Sequence, residues 1–333
     1  MFLSVFICVH PWLQLPAAAG VETIEHPFLG VTHITRTDTS PRNMNIHIVK
    51  IDLTAPGISF KLTPHSGTRD TVRETTLAYL NQQLAQVAVN INFFLPFPSS
   101  DLNADLIGFA ASNGSVFSPF ELPSQNYAIV RDAPGLNIDP KNHASIVTRD
   151  PNFSDGQCYF CATNDGLHVR ESVTLWNTVT GSAQIVTDGV KTIPCYVDTT
   201  HSACQLVGPG PANYSNSNSW YDRINARTSI GVSQDGKTLV LFTVDAAGGS
   251  AGMKVGEVAD MLINDYGVYN ALNLDGGGST TLAMENPVTH VRTIVNRSSD
   301  NMNGRAVGSN LAVFASPNVA ALAQNARAKS ALE

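Results

Sequence analysis

The sequence predicts one domain of α+β type, built of mixed and antiparallel β-sheets with a few packed helices, and three observations predict it. First, 333 residues with 43% apolar and 14% charged side chains supply a large core. The surface is then carried by Ser, Thr and Asn more than by ions, a composition that folds. Second, short alternating or continuously apolar segments recur between Gly-, Pro- and Asn-rich turns, the pattern of strands. Third, two internal stretches have helical periodicity, and neither a repeat nor a clean linker divides the chain. The net charge of −7 argues against nucleic acid as partner, because no basic face is available to neutralise phosphates.

Taken in order, residues 1–19 carry no charged side chain, with an apolar stretch from Phe2 to Val9 and Ala17-Ala18-Ala19 before Gly20. That pattern predicts a signal peptide and an exported protein, extracellular or periplasmic. No later run reaches the ~18 apolar residues of a spanning helix, so stable membrane insertion is not expected. Cys158, Cys161, Cys195 and Cys204 then remain, an even number with three possible pairings. Their surroundings and spacing suit structural disulfides better than a redox or zinc site.

Residues 44–53 alternate, "TAPG" turns, and "ISFKLTP" alternates again, which predicts a hairpin or meander. Thr71-Val72-Arg73-Glu74 has the form of a capping box opening a helix to about Gln86, with Val72, Leu77, Leu80, Leu84 and Val87 as its apolar stripe. "VAVNINFF" reads as a buried strand and 95–114 as a loop, followed by short strands and turns to Ile193. Residues 208–222 have the composition of a lid or insertion. "RTSIGVSQDGKTLVLFTVD" is a hairpin turning at Gln234-Asp235-Gly236. A helix over 253–266 ends at Gly267, a strand covers Ala271 to Leu274, and "NLAVFA" closes the domain. The expected division is a signal peptide at 1–19, the domain at 20–316 and an exposed helical tail at 317–333.

The chemistry concentrates in "NALNLDGGGSTTLAMEN", residues 270–286. Ordering three consecutive glycines costs backbone entropy. A nucleotide-binding loop requires a helix after the glycines and a Lys, and here "STTLAM" is strand-like. No G-x-S-x-G elbow makes Ser279 a nucleophile. Asp275, an acid at the end of an apolar strand, is costly unless used or paired. Asp245 ends "LVLFTVD" in the same way, so the two carboxylates form a candidate catalytic pair. Arg227 and Arg305 are candidate phosphate ligands, and Asn90 and Asn92 are amides set in an apolar run. His33, His47 and His65 have no ligand spacing.

These segments resemble the phosphodiester glycosidase family. "AVNINFF", "NTVTGSAQIVTDG", "RTSIGVSQDGKTLVLFTVD", "NALNLDGGGSTTL" and "VNRSSDNMNGRAVGSNLAVF" carry the likeness, which covers about residues 44 to 315. The resemblance implies hydrolysis of the bond between a sugar's anomeric carbon and a phosphodiester. It implies Asp275 and Asp245 as catalytic carboxylates. It also implies Arg227, Thr228, Gly276, Gly277, Gly278, Ser279, Asn90, Asn296 and Arg305 as substrate-binding residues, to which Asn92 is added from its place as an amide in the apolar run. Phe93, Phe94 and Gly231 also match family motifs. The sequence departs from the family at Ile91-Asn92, where two glycines are usual, at Ala246, and at Gly304, positions that bear on substrate identity. A phosphate monoester leaves readily, so the catalytic demand is to stabilise an oxocarbenium-like centre and hold the departing charge. No cofactor or metal is expected, and a structural calcium has no support in the sequence. The partner is a phosphodiester-linked sugar or glycan. The competing readings are a non-catalytic carbohydrate or cell-wall binding protein and a phosphodiesterase cutting the P–O bond.

Overall fold

The computed structural model describes residues 20–120, 128–152, 168–195, 220–318 and 320. The expected signal peptide, Cys158, Cys161 and Cys204, nearly all of the 208–222 segment and almost the whole tail lie outside them. Cys195 is the one cysteine within.

Two antiparallel sheets pack face to face. The first has eight strands, in the order Val21–Phe28, Val31–Asp38, Met44–Asp52, Thr238–Val244, Arg227–Ser233, Val268–Asn273, Ala183–Thr187 and Val190–Lys191. The second has five, in the order Arg292–Ile294, Leu282–Glu285, Val87–Asn90, Asn310–Phe314 and Ser59–Leu62. A third, five-stranded sheet centred on Asn177–Thr180 adds Ala110, Leu136, Ile138 and Val179 to the same core.

The apolar run "LVLFTV" is explained by burial on both faces. Leu239 and Leu241 point into the core between the sheets, while Val240, Phe242 and Val244 point to the opposite face. There they meet Val255, Val258, Ala259 and Leu262 of the helix Val255–Asn264. Period-two alternation thus serves two cores at once. The helix Thr76–Gln83 covers the outer face of the second sheet. It packs on Ala283, Ala88 and Ala312, which stand side by side across three strands and leave room for Tyr79 and Leu80.

Several expectations need correction. The domain is mainly β, with two helices among the described residues, and every described ladder is antiparallel, so the α+β assignment overstates the helix. Continuous apolar runs come from the helix-covered faces, not from parallel strands. Met44–Asp52 and Ser59–Leu62 are not a hairpin: the first pairs with Val31–Asp38 and Thr238–Val244, the second with Asn310–Phe314 in the other sheet. The first helix starts at Thr76, capped by the Thr75 hydroxyl accepting from the Ala78 N–H at 3.1 Å, and ends at left-handed Leu84. Thr71–Val72 is a short strand, and Val72 and Leu84 are exposed. The loop expected over 95–114 contains the strands Asn103–Leu106 and Ala110–Ser112. The hairpin Arg227–Ser233/Thr238–Val244 forms in the expected place.

Candidate active site

Asp275 to Thr281 cross from the first sheet to the second, and both sheets hold the crossing. On one side the Leu274 N–H donates to the Thr228 carbonyl at 2.9 Å. On the other the Asp275 N–H donates to the Ile91 carbonyl at 2.9 Å, and Asn90 Nδ2 to the Asp275 carbonyl at 2.6 Å. The buried Asn90 Oδ1 accepts from the Thr281 N–H at 3.0 Å and the Thr228 hydroxyl at 3.1 Å. A single amide therefore ties both ends of the crossing to the sheet opposite. That satisfies a polar group which would otherwise be costly in this interior.

Each glycine has a separate reason. A Cβ at Gly276 would lie 2.8 Å from the Ala226 carbonyl. Gly277 has φ +60 and its N–H donates to that same carbonyl at 2.8 Å. A Cβ at Gly278 would lie 2.3 Å from Arg305 Nη2. Gly277–Ser279 forms one 3₁₀ turn, and the strand begins only at Leu282. The run is therefore a tight turn fitted under Arg305 and against the Arg227 strand. It is not an open row of donors, because the Gly277 N–H is already used.

Beside it lies a cavity of about 330 Å³ lined by Phe93, Phe94, Phe97, Trp220, Arg223, Asn225, Asp275, Gly276, Gly277, Gly278, Ser279 and Arg305. The Phe93 and Trp220 rings meet edge to face, 6.2 Å between centroids. Arg305 lies 4.5 Å above the Phe97 ring centre. Its Nε donates to Asp300 Oδ2 at 3.1 Å and its Nη1 to Ser279 Oγ at 3.2 Å. Burial pushes the Asp275 carboxyl up to about 7, against hydrogen bonds from Ser279 and the Gly276 N–H and the attraction of Arg305, which hold it down. An acid titrating near neutrality in an aromatic cleft, linked to an arginine through a serine hydroxyl, is equipped for proton transfer.

Of the residues singled out in the sequence, Asp275, Gly276, Gly277, Gly278, Ser279 and Arg305 line this cavity. The others stand behind it. Arg227 is fully buried and donates to the carbonyls of Met253 (3.0 Å), Trp220 (2.7 Å) and Arg223, with its guanidinium 4.6 Å from the Trp220 ring centre. It braces the wall and does not face the cavity. Thr228 and Asn90 hold the crossing. Asn92 is buried, bonded to Ser309.

Asp245 does not line the cavity. Its Oδ1 accepts from Asn296 Nδ2 at 2.9 Å and its Oδ2 from the Arg297 N–H at 3.0 Å, and burial pushes its pKa up to about 6. Asn296 in turn accepts from the Leu282 N–H at 2.8 Å and donates to the Thr280 carbonyl at 3.2 Å. Asp245 thus anchors the far end of the crossing. Phe97, Trp220, Arg223 and Asn225 are lining residues that sequence reasoning did not single out. The available signal for the last three was their place just before the Arg227 motif.

His33 and His47 are buried and stacked, with Nε2 and Nδ1 3.3 Å apart, and burial lowers both pKa values. A larger cleft of about 720 Å³ lies between the N-terminal strands and the helix Val255–Asn264. It contains none of the expected residues, and its Arg36 is taken by Asp38 at 2.9 Å and Asp265 at 2.6 Å. The smaller cavity, where the acid, the arginines and the glycines meet, is the candidate site.

Residues 85–314 match the family described as phosphodiester glycosidase. The chain is 44% identical over 61 residues to human N-acetylglucosamine-1-phosphodiester alpha-N-acetylglucosaminidase, a stretch that spans 18% of this chain and 12% of that protein. The catalytic domain of the zebrafish enzyme of that name, auto-inhibited by its pro-peptide, superposes with a TM-score of 0.56 at 20% identity over 91% of this chain and 85% of that one. A hypothetical protein from Synechocystis superposes at 0.55 with 17% identity, over 86% of this chain and 62% of that one. At these identities the superpositions speak for the fold.

Proposed function

Because the chain belongs to the phosphodiester glycosidase family, we propose that it hydrolyses the bond between a sugar's anomeric carbon and the oxygen of a phosphodiester. The observation that carries the reading is the single cavity in which Asp275, with a carboxyl titrating near 7, meets Arg223 and Arg305 among four aromatic rings. Aromatic faces suit a sugar ring, and guanidinium groups suit a phosphate.

In the proposed reaction the ionised Asp275 takes a proton from a water molecule. The water oxygen bonds to the anomeric carbon as the C–O bond to phosphate breaks, and the phosphomonoester leaves with the bonding electron pair. A raised pKa favours Asp275 as this base, since a proton acceptor works best when its pKa lies near the operating pH. The departing charge needs little protonation, and arginines hold it. Asp245, Arg227, Asn90, Asn296 and Thr228 keep the crossing and the wall in place. Asp275 is the one carboxylate among the described lining residues, so a single displacement with inversion at the anomeric carbon is expected.

The name of the human relative suggests N-acetylglucosamine 1-(methyl phosphate) as the substrate to test. Release of N-acetylglucosamine and methyl phosphate, with ¹⁸O from labelled water on the sugar and an inverted anomer by NMR, supports the reading. Sugar 1-phosphate with methanol would make the protein a phosphodiesterase. Turnover of no member of a panel of sugar 1-phosphodiesters would leave a binding protein. On the same footing we place the enzyme outside the cytoplasm, with the catalytic domain at 20–316. The uncharged apolar opening stretch and the four cysteines support that placement.

A further inference from the structure

We infer that Arg223 is the specificity-determining residue of this cavity, the guanidinium that grips the phosphodiester. The inference rests on the reading above and names the side chain that distinguishes a charged substrate from a neutral one.

Three arginines surround the glycine turn, and two are committed elsewhere. Arg227 is buried and holds three backbone carbonyls. Arg305 is paired with Asp300, stacked on Phe97 and bonded to Ser279, so its charge is largely balanced and its orientation set by protein. Arg223 lines the cavity, is exposed, and has no side-chain hydrogen bond or acidic partner among the described residues. Its neighbour Asp222 faces Lys254, 4.0 Å away.

The backbone that carries Arg223 is, by contrast, tightly held. Arg227 binds the carbonyls of Trp220 and Arg223. The Val255 N–H donates to the Tyr221 carbonyl at 3.0 Å, and the Tyr221 hydroxyl donates to the Ala128 carbonyl at 2.5 Å. A structural arginine has a fixed side chain. Here the backbone is fixed and the side chain is available, the arrangement of a group that waits for a ligand. A guanidinium matches two phosphate oxygens as a planar fork, which a lysine cannot do. As the C–O bond breaks, negative charge grows on the departing oxygen, and Arg223 meets it. The buried motif residue Arg227 then acts on substrate through the Trp220 and Arg223 carbonyls, two of the three it holds.

The test compares wild type with Arg223→Gln and Arg223→Lys on two substrates, N-acetylglucosamine 1-(methyl phosphate) and 4-nitrophenyl N-acetyl-α-glucosaminide. The ratio of kcat/KM on the diester to that on the uncharged glycoside is expected to fall at least tenfold in Arg223→Gln and less in Arg223→Lys. A merely structural role lowers both substrates together and leaves the ratio in place, which overturns the inference. Dimethyl phosphate and inorganic phosphate, titrated by NMR, give a readout that needs no turnover. Wild type is expected to bind at least tenfold more tightly than Arg223→Gln. Equal binding, or binding by neither, removes Arg223 from phosphate recognition. A wild type that binds phosphate through Arg223 but releases no sugar would instead sink the proposed reaction and keep the inference.

Discussion

Replacing Asp275 by Asn should make the protein more resistant to unfolding at alkaline pH while abolishing turnover. The carboxyl titrates at about 7 in the folded chain against its ordinary 3.8, because burial penalises the charged form. The native state therefore binds the proton more tightly than the unfolded one. Stability attached to this group is fully present below pH 3.8 and is lost as pH rises through about 7. Integrating between pH 5 and pH 8 gives a loss of roughly 2–3 kcal/mol for the wild type from this group. The amide introduced by Asp275→Asn does not titrate, so the variant escapes that loss. Asp245 is raised as well, but it is present in both proteins and cancels in the comparison. The assay is urea unfolding of wild type and Asp275→Asn at pH 5 and pH 8, with stability taken from midpoint and slope. The difference in favour of the variant should widen by roughly 2–3 kcal/mol from the lower to the higher pH. A difference that stays constant, or narrows, would refute the claim that Asp275 is held as a desolvated acid.

Three further outcomes follow from the same geometry. If ionised Asp275 is the base, kcat/KM should rise about tenfold per pH unit below 7 and level off above it, as read in a pH–rate profile; a flat profile removes the assignment. Arg227→Met should cost about 2–4 kcal/mol in urea unfolding, because three carbonyls, one of them buried, lose a charged donor at once; a loss under half a kcal/mol would contradict its bracing role. Gly278→Ala pushes against the movable end of Arg305, whereas Gly276→Ala pushes against the Ala226 backbone carbonyl. The first should keep stability within about 1 kcal/mol and lower kcat/KM roughly tenfold, and the second should cost about 1–3 kcal/mol in unfolding. Equal stability losses in both would show the turn to be packed otherwise.

How much was legible in the chain varies from residue to residue. The hairpin over 227–244 was readable because its turn and its alternation agree within one short segment. Met44–Asp52 and Ser59–Leu62 were misread as a pair because alternation reports that a strand is half-buried and does not say which strand it meets. The helix was set too early at Thr71 because a capping-box pattern also fits an extended stretch, and the Thr75 cap offered the same chemistry four residues later.

At the site, the sequence by itself determined that an acid and three glycines leave a buried strand, that arginines and asparagines accompany them, and that these segments are of the phosphodiester glycosidase kind. Those are properties of residue type and local order. Only the tertiary structure decided which of them face the cavity. Arg227 and Arg223 are four residues apart with identical side chains, yet one is enclosed among carbonyls and the other opens on the cavity. Asp245 and Asp275 both end apolar strands, yet one has both oxygens taken by the 296–297 loop and the other lines the cleft. The physical reason is that a side chain's role depends on what the opposite sheet places against it. That partner is often remote in the chain: Asn90 meets Asp275 across 185 positions, and Asn296 meets Asp245 across 51.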